Sequence, residues 1–134
     1  MSKEKSIRVL FKEPDKAPEW RTILNELDDM QALVNGYFEA VAWDDRYLLI
    51  VNEEGKLQDL PVNFVWFENH DAIVGPCFWA ARSGEEFASI LDDGFIDEIN
   101  DYTGYGPDDE DDILEYGIDL GDLLRELIER NGQL

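Results

Sequence analysis

Only one cysteine and one histidine occur among the 134 residues, and 11 Lys and Arg stand against 32 Asp and Glu. Each scarcity removes a class of function. The single thiol, Cys77, forbids any disulfide within the chain, and its setting in AIVGPCFWAA fits a buried thiol better than a reactive one. The single histidine, His70 in ENHDA, could form a Ser-His-Asp triad only with Ser83 or Ser89, and neither serine sits in a nucleophile-elbow pattern. It reads as a polar loop residue. The shortage of cations, with a formal net charge of −21, disfavours direct binding to nucleic acid or an anionic membrane and favours a basic partner. No run approaches the roughly 18 apolar residues of a membrane span, and MSKEKSIRV lacks the apolar stretch of a secretory signal, so a cytoplasmic location is expected. Phosphate-cradling loops, dinucleotide fingerprints and EF-hand spacing are all missing, and no cofactor or specific metal site is expected.

Apolar and aromatic residues, by contrast, are plentiful. At 44% hydrophobic, with four Trp, five Tyr and seven Phe, the chain can bury a core, and its length suits one domain over residues 1–134. The acids are unevenly placed. Residues 1–84 hold 15 acids and 9 bases, whereas residues 85–134 hold 17 acids and 2 bases. Acidity that served only solubility or tolerance of salt would be spread more evenly.

Along the chain, IRVLF (7–11) and EWRTI (19–23) flank a polar EPDKAP loop and predict two strands joined by a turn. Asn25 is placed to cap a helix over 26–34 with Leu27, Met30, Leu33 and Val34 on one face and Gly36 as its stop. YFEAVAW (37–43) and RYLLIV (46–51) flank Asp44 and Asp45 as a hairpin, and NEEGK (52–56) is a turn in which Gly55 can take a positive φ. Residues 57–70 predict an irregular or short-stranded connection covering the sheet. Ala72–Ala81 reads as one central strand, bulged or at an edge because of Gly75 and Pro76. Ser83 and Glu86 have capping-box spacing for a short helix through Leu91, and Asp92 or Asp93 could cap another through Tyr102, closed by Gly104. The expected fold is α+β: a small mixed or antiparallel sheet with packed helices (7–101) and an acidic helical extension (105–134).

IRVLFKEP, MQALVNGYFEAV, LLIVNEEGKLQDLPVN and DAIVGPCFWAA followed by FASI together resemble the family catalogued as domain of unknown function 3846, from Ile7 to about Asp101. The resemblance implies a compact α+β domain and a phage or mobile-element setting. It implies no activity. The acidic extension after Tyr102 departs from the family's usual short ending.

Two patterns offer other chemistry. Asp45, Glu54 and Lys56 loosely match the acids and lysine of a metal-dependent nuclease. Phe64, Trp66, Phe67, Phe78 and Trp79 could form an aromatic interaction surface, although core packing explains such rings more simply. The acidic end supports the preferred reading. Asp108, Asp109, Asp111 and Asp112 are followed by Glu115, Asp119, Asp122, Glu126 and Glu129 at helical spacings, interleaved with Ile113, Leu120, Leu123, Leu124, Leu127 and Ile128. With a rise of about 1.5 Å per residue, carboxylates three or four apart fall about every 5 Å, roughly imitating a phosphate strand. Gly117 and Gly121 predict a break in the helix, with Asp119 as a new N-cap. The expected function is a non-enzymatic inhibitor that occupies the nucleic-acid site of a basic host-defence protein, such as a restriction or CRISPR nuclease.

Overall fold

A computed structural model describes residues 4–105 of the chain. Its strands β1 (Ser6–Lys12) and β2 (Glu19–Leu24) pair antiparallel, with Ser6 opposite Leu24 and Phe11 opposite Glu19, so the opening hairpin is as the prolines suggest. After helix α1 (Leu27–Val34), β3 (Phe38–Ala42) and β4 (Tyr47–Asn52) form the hairpin around Asp44 and Asp45. Then come β5 (Val62–Trp66), a single 3-10 turn (Phe67–Asn69), β6 (Asp71–Val74), β7 (Cys77–Ser83), β8 (Glu86–Ala88) and helix α2 (Phe95–Thr103). The main sheet has the order β2-β1-β7-β4-β3, with β8 also on β7; β5 and β6 form a separate two-stranded sheet. Every described pairing is antiparallel, and the fold is α+β.

The three inner strands explain why their sequences are apolar throughout instead of alternating. Leu10, Trp79 and Leu49 lie in one cross-strand row, and Phe11, Phe78 and Ile50 lie in the next. Successive side chains point to opposite faces, and both faces are covered. The Trp79 row belongs to a core completed by Phe64, Trp66 and Ile73 of the small sheet and by Phe95 and Ile99 of α2. The Phe78 row belongs to a second core completed by Met30 and Val34 of α1. Truncating Phe78 or Trp79 to alanine would cost about 3–5 kcal/mol at such fully enclosed positions.

Several local expectations are corrected. Asn25 caps nothing: it is buried, its Nδ2 donates to the carbonyls of Glu4 and Phe87 at 3.0 and 3.2 Å, and the N-cap position falls to Glu26 without a side-chain bond. Leu27, expected on the buried face of α1, is 60% exposed. That helix ends in a Schellman motif, with left-handed Asn35, Asn35 N–H on Ala32 O and Gly36 N–H on Gln31 O. Gly55 has no positive φ; it is required by space, since a Cβ there would lie 2.8 Å from Val74 Cγ2. The run Ala72–Ala81 is two strands in two sheets, parted at Gly75 and Pro76. The segment from Ser83 is a hairpin, not a helix: Ser83 pairs with Glu86 across Gly84 and Glu85, and Gly84 takes φ 63° at the first turn position. Helix α2 starts from Gly94, while Asp92 Oδ1 accepts the Gly94 N–H at 2.9 Å; Gly104 closes it at φ 86°. The acidic helices expected beyond Tyr105 lie outside the described residues.

Candidate functional site

All nine carboxylates expected to form the binding face, Asp108, Asp109, Asp111, Asp112, Glu115, Asp119, Asp122, Glu126 and Glu129, lie outside the described residues. The alternative nuclease set is not assembled. Asp45 and Glu54 flank opposite ends of β4, whose six residues span roughly 20 Å, and Lys56 is paired with Asp71. Among the described residues no group of three or more His, Cys, Asp or Glu could hold a metal ion. Of the five rings considered for an aromatic surface, Phe64, Trp66, Phe78 and Trp79 are buried and Phe67 is 44% exposed. Cys77 is buried as well, and burial pushes its thiol up to about 12, with Lys12 opposing the shift.

The described domain does contain a cleft that the sequence did not announce. It encloses about 370 Å3 where the turn after β3, the 3-10 turn after β5 and helix α2 converge. The turn supplies Trp43, whose N–H donates to Tyr47 O at 3.0 Å. Its ring stacks on Trp66 with centroids 5.1 Å apart and planes at 28°, and meets Trp79 and Tyr102 edge-on at 5.5 and 5.2 Å. These four rings come from four separate segments, and contacts of this kind add about 0.5–1.5 kcal/mol each beyond their buried area.

Carboxylates line the mouth. Asp44 Oδ1 accepts the N–H groups of Arg46 and Tyr47 at 2.8 and 3.0 Å, an Asx turn that shapes the β3–β4 connection. The Arg46 guanidinium reaches Asp44 Oδ2 at 2.7 Å and forks onto both oxygens of Glu98, at 3.0 and 3.1 Å. Glu98 first, then Asp44, hold Arg46 above its ordinary range. Burial pushes the Asp44 carboxyl up, but the hydrogen bonds from Arg46 and Tyr47 outweigh it and leave the group below its ordinary value. Arg46 is too exposed for this bridge to add much stability; its effect is to tie the turn to α2. On the opposite side, the Tyr102 hydroxyl accepts the Phe67 N–H at 2.8 Å and donates in a short bond to the Glu68 carboxylate. Burial, then this bond to Glu68, raise the phenol well above its ordinary value. Tyr102 therefore positions Glu68 beside the rings.

Aromatic walls with a carboxylate rim suit an organic cation, and among the described residues the lining includes Asp44, Glu68 and Glu98 but no lysine or arginine. Trp43 and Tyr102 were missed as site residues. The only local signal was a tryptophan directly before two acids, in AWDDR. The described residues contain no helix long and apolar enough to cross a membrane. No curated protein and no solved structure matches the chain. A family model does match, over residues 7–104, which includes every element of the cleft and stops short of the acidic run at 108–129. The chain therefore belongs to the family described as Domain of unknown function (DUF3846).

Proposed function

We propose that this chain is a non-enzymatic acidic binding protein of phage or mobile-element origin, which engages a basic, nucleic-acid-binding partner by imitating the charge of nucleic acid. The observation that carries this reading is the acidic face leading into the C-terminal run. Asp92, Asp93, Asp97, Glu98 and Asp101 are all exposed around α2, while Phe95 and Ile99 of the same helix are buried. Asp97 and Asp101 are one turn apart, a separation of about 6 Å along the axis. The ten acids of residues 106–134 follow directly, against two bases. Acids held on a packed helix lose less entropy on binding than acids on a free chain.

An aromatic docking surface receives little support from a molecule that buries four of the five rings it would use. The mimicry reading is tested by capture from lysate with the full chain at low and high salt. It expects enrichment of nucleic-acid-binding proteins that is lost at high salt, competed by added duplex DNA, and abolished when Asp108, Asp109, Asp111 and Asp112 become Asn and Glu110 becomes Gln. Capture that survives high salt, or that added DNA leaves unchanged, would sink it.

A further inference from the structure

Three arginines of this chain already lie over aromatic rings: Arg8 is 4.1 Å from the Trp20 centroid, Arg21 is 4.3 Å from Phe11, and Arg46 is 4.9 Å from Tyr47. Arg46 shows the full arrangement, because its fork also meets Glu98 and Asp44. A planar guanidinium can stack on a ring and form two parallel bonds to a carboxylate at once, which an ammonium cannot do. Next to Arg46, the cleft repeats those ingredients. Trp43, Trp66 and Tyr102 form its walls, and Glu68 stands at the mouth, with one of its carboxylate oxygens engaged by Tyr102. A carboxylate has about four acceptor positions, so Glu68 retains capacity for a second donor.

We propose that the cleft between Trp43, Trp66 and Tyr102 seats one arginine side chain of the basic partner, with its guanidinium against the rings and forked onto Glu68. This rests on the reading of the chain as a binder of a basic protein, and it names the group through which one residue of that partner is recognised. The size agrees: about 370 Å3 is near the lower end of small-ligand sites and holds one side chain, not a folded element. The charge agrees as well, since among the described residues the lining carries the carboxylates of Asp44, Glu68 and Glu98, which would repel an anionic ligand. Many surface acids attract a cation loosely. The rings add flat faces on which a planar guanidinium can stack.

The test uses the full chain and Nα-acetyl-arginine amide as the probe, followed by the indole NMR signals of Trp43 and Trp66. Nα-acetyl-citrulline amide, of the same shape without the charge, is the comparison. The arginine derivative is expected to shift those signals saturably, with a dissociation constant on the order of 1 mM. The citrulline derivative should bind about tenfold more weakly or worse, and Glu68→Gln should weaken the arginine probe about tenfold. Equal shifts from the two derivatives overturn the proposal even if Glu68→Gln does not fold, because that comparison needs no variant. An arginine response that survives Glu68→Gln in a folded protein overturns it too. Saturable, arginine-selective binding together with failed capture of a basic partner would support the site while removing the mimicry reading; salt-sensitive capture with no arginine selectivity would do the reverse.

Discussion

Lys12 and Asn63 grip each other by both ends: Lys12 Nζ donates to Asn63 Oδ1 at 2.6 Å, and Asn63 Nδ2 donates back to the Lys12 carbonyl at 2.8 Å. The lysine is fully buried, yet none of the described ion pairs includes it. The Tyr105 ring, 5.0 Å from Nζ, and the carbonyls of Glu13 and Asn63 also face it, and Asp15 and Cys77 act on it electrostatically without a hydrogen bond to Nζ among the described contacts. A buried ammonium without a carboxylate costs stability unless dipoles solvate it, and Asn63 supplies the closest one. It also joins β5 to the main sheet, through Lys12, and to Gly75 O at 2.9 Å.

Asn63→Leu is expected to destabilise the protein by about 3 kcal/mol or more, because it leaves the ammonium and two buried carbonyls without this partner. In a Lys12→Met background the same substitution should cost clearly less. Urea denaturation of the four proteins gives the coupling directly; equal costs in both backgrounds would show that Asn63 does not act on the charge. Burial holds Lys12 below its ordinary 10.5, with Cys77 and Asp15 opposing. The unfolded chain therefore binds more protons between the folded value and 10.5, and the lysine's contribution to stability rises with pH through that window.

Cys77 has the opposite sign. Its register partner on β1 is Lys12, and burial pushes the thiol from 9.0 to about 12. Stability tied to the neutral thiol is complete below about pH 9 and is lost as pH rises towards 12. Cys77→Ala removes this dependence and leaves a small cavity worth about 1 kcal/mol. The variant should be the less stable protein at pH 7, and the gap should close or reverse between pH 9 and 11. Chemical denaturation at several pH values checks this, and a constant gap would contradict it. The native thiol should also resist alkylation at neutral pH until denaturant is added.

Much of this fold was legible because several elements carry their own punctuation. Pro14 and Pro18 bracket the first turn, Asp44 and Asp45 the second, and Gly104 ends α2. Where two structures share one spacing, sequence alone could not choose. Ser83-Gly84-Glu85-Glu86 satisfies a capping box and a two-residue hairpin equally well, and pairing with β7 decided for the hairpin. Asn25 looks like a cap locally, but carbonyls of Glu4 and Phe87, distant along the chain, claim its amide. The uninterrupted apolar character of Ala72–Ala81 hid a change of sheet, because both halves are buried. The cleft was illegible for a related reason. Trp43, Trp66 and Tyr102 sit on three segments with nothing in their local patterns to say that they meet, and Trp66 was noticed only as part of an aromatic run.

The sheet change at Gly75 yields a comparison with Gly84. Both have positive φ, 73° and 63°, but a Cβ at Gly75 would fall 2.6 Å from Leu60 Cδ1, while Gly84 has open space around it. Gly84→Ala should cost only the left-handed backbone penalty, about 1–2 kcal/mol. Gly75→Ala should cost more, since Leu60 must also move. Adding Leu60→Ala should bring the further loss caused by Gly75→Ala down towards the Gly84 value. Thermal or urea denaturation decides, and an undiminished Gly75→Ala penalty in the Leu60→Ala background would place the strain in the backbone alone.

Tyr102→Phe separates the phenol's positioning role from its ring. The ring contacts with Trp43 and Phe64, at 5.2 and 6.2 Å, survive the change, whereas the Phe67 N–H loses its acceptor and Glu68 loses its donor. Because both groups can turn to water at this half-exposed site, the cost in stability should be modest, about 1 kcal/mol. The alkaline behaviour should change as well: the phenol is raised in the fold, so its stabilisation is present below its ordinary value of 10.0 and lost as pH climbs above it, and Tyr102→Phe should remove that part of the loss. Glu68, no longer held beside the rings, should exchange between rotamers, and the affinity for Nα-acetyl-arginine amide should fall by less than with Glu68→Gln, because the carboxylate is misplaced and not discharged. An affinity that falls as far as with Glu68→Gln would mean that the hydroxyl itself, and not the acid it positions, contacts the cation.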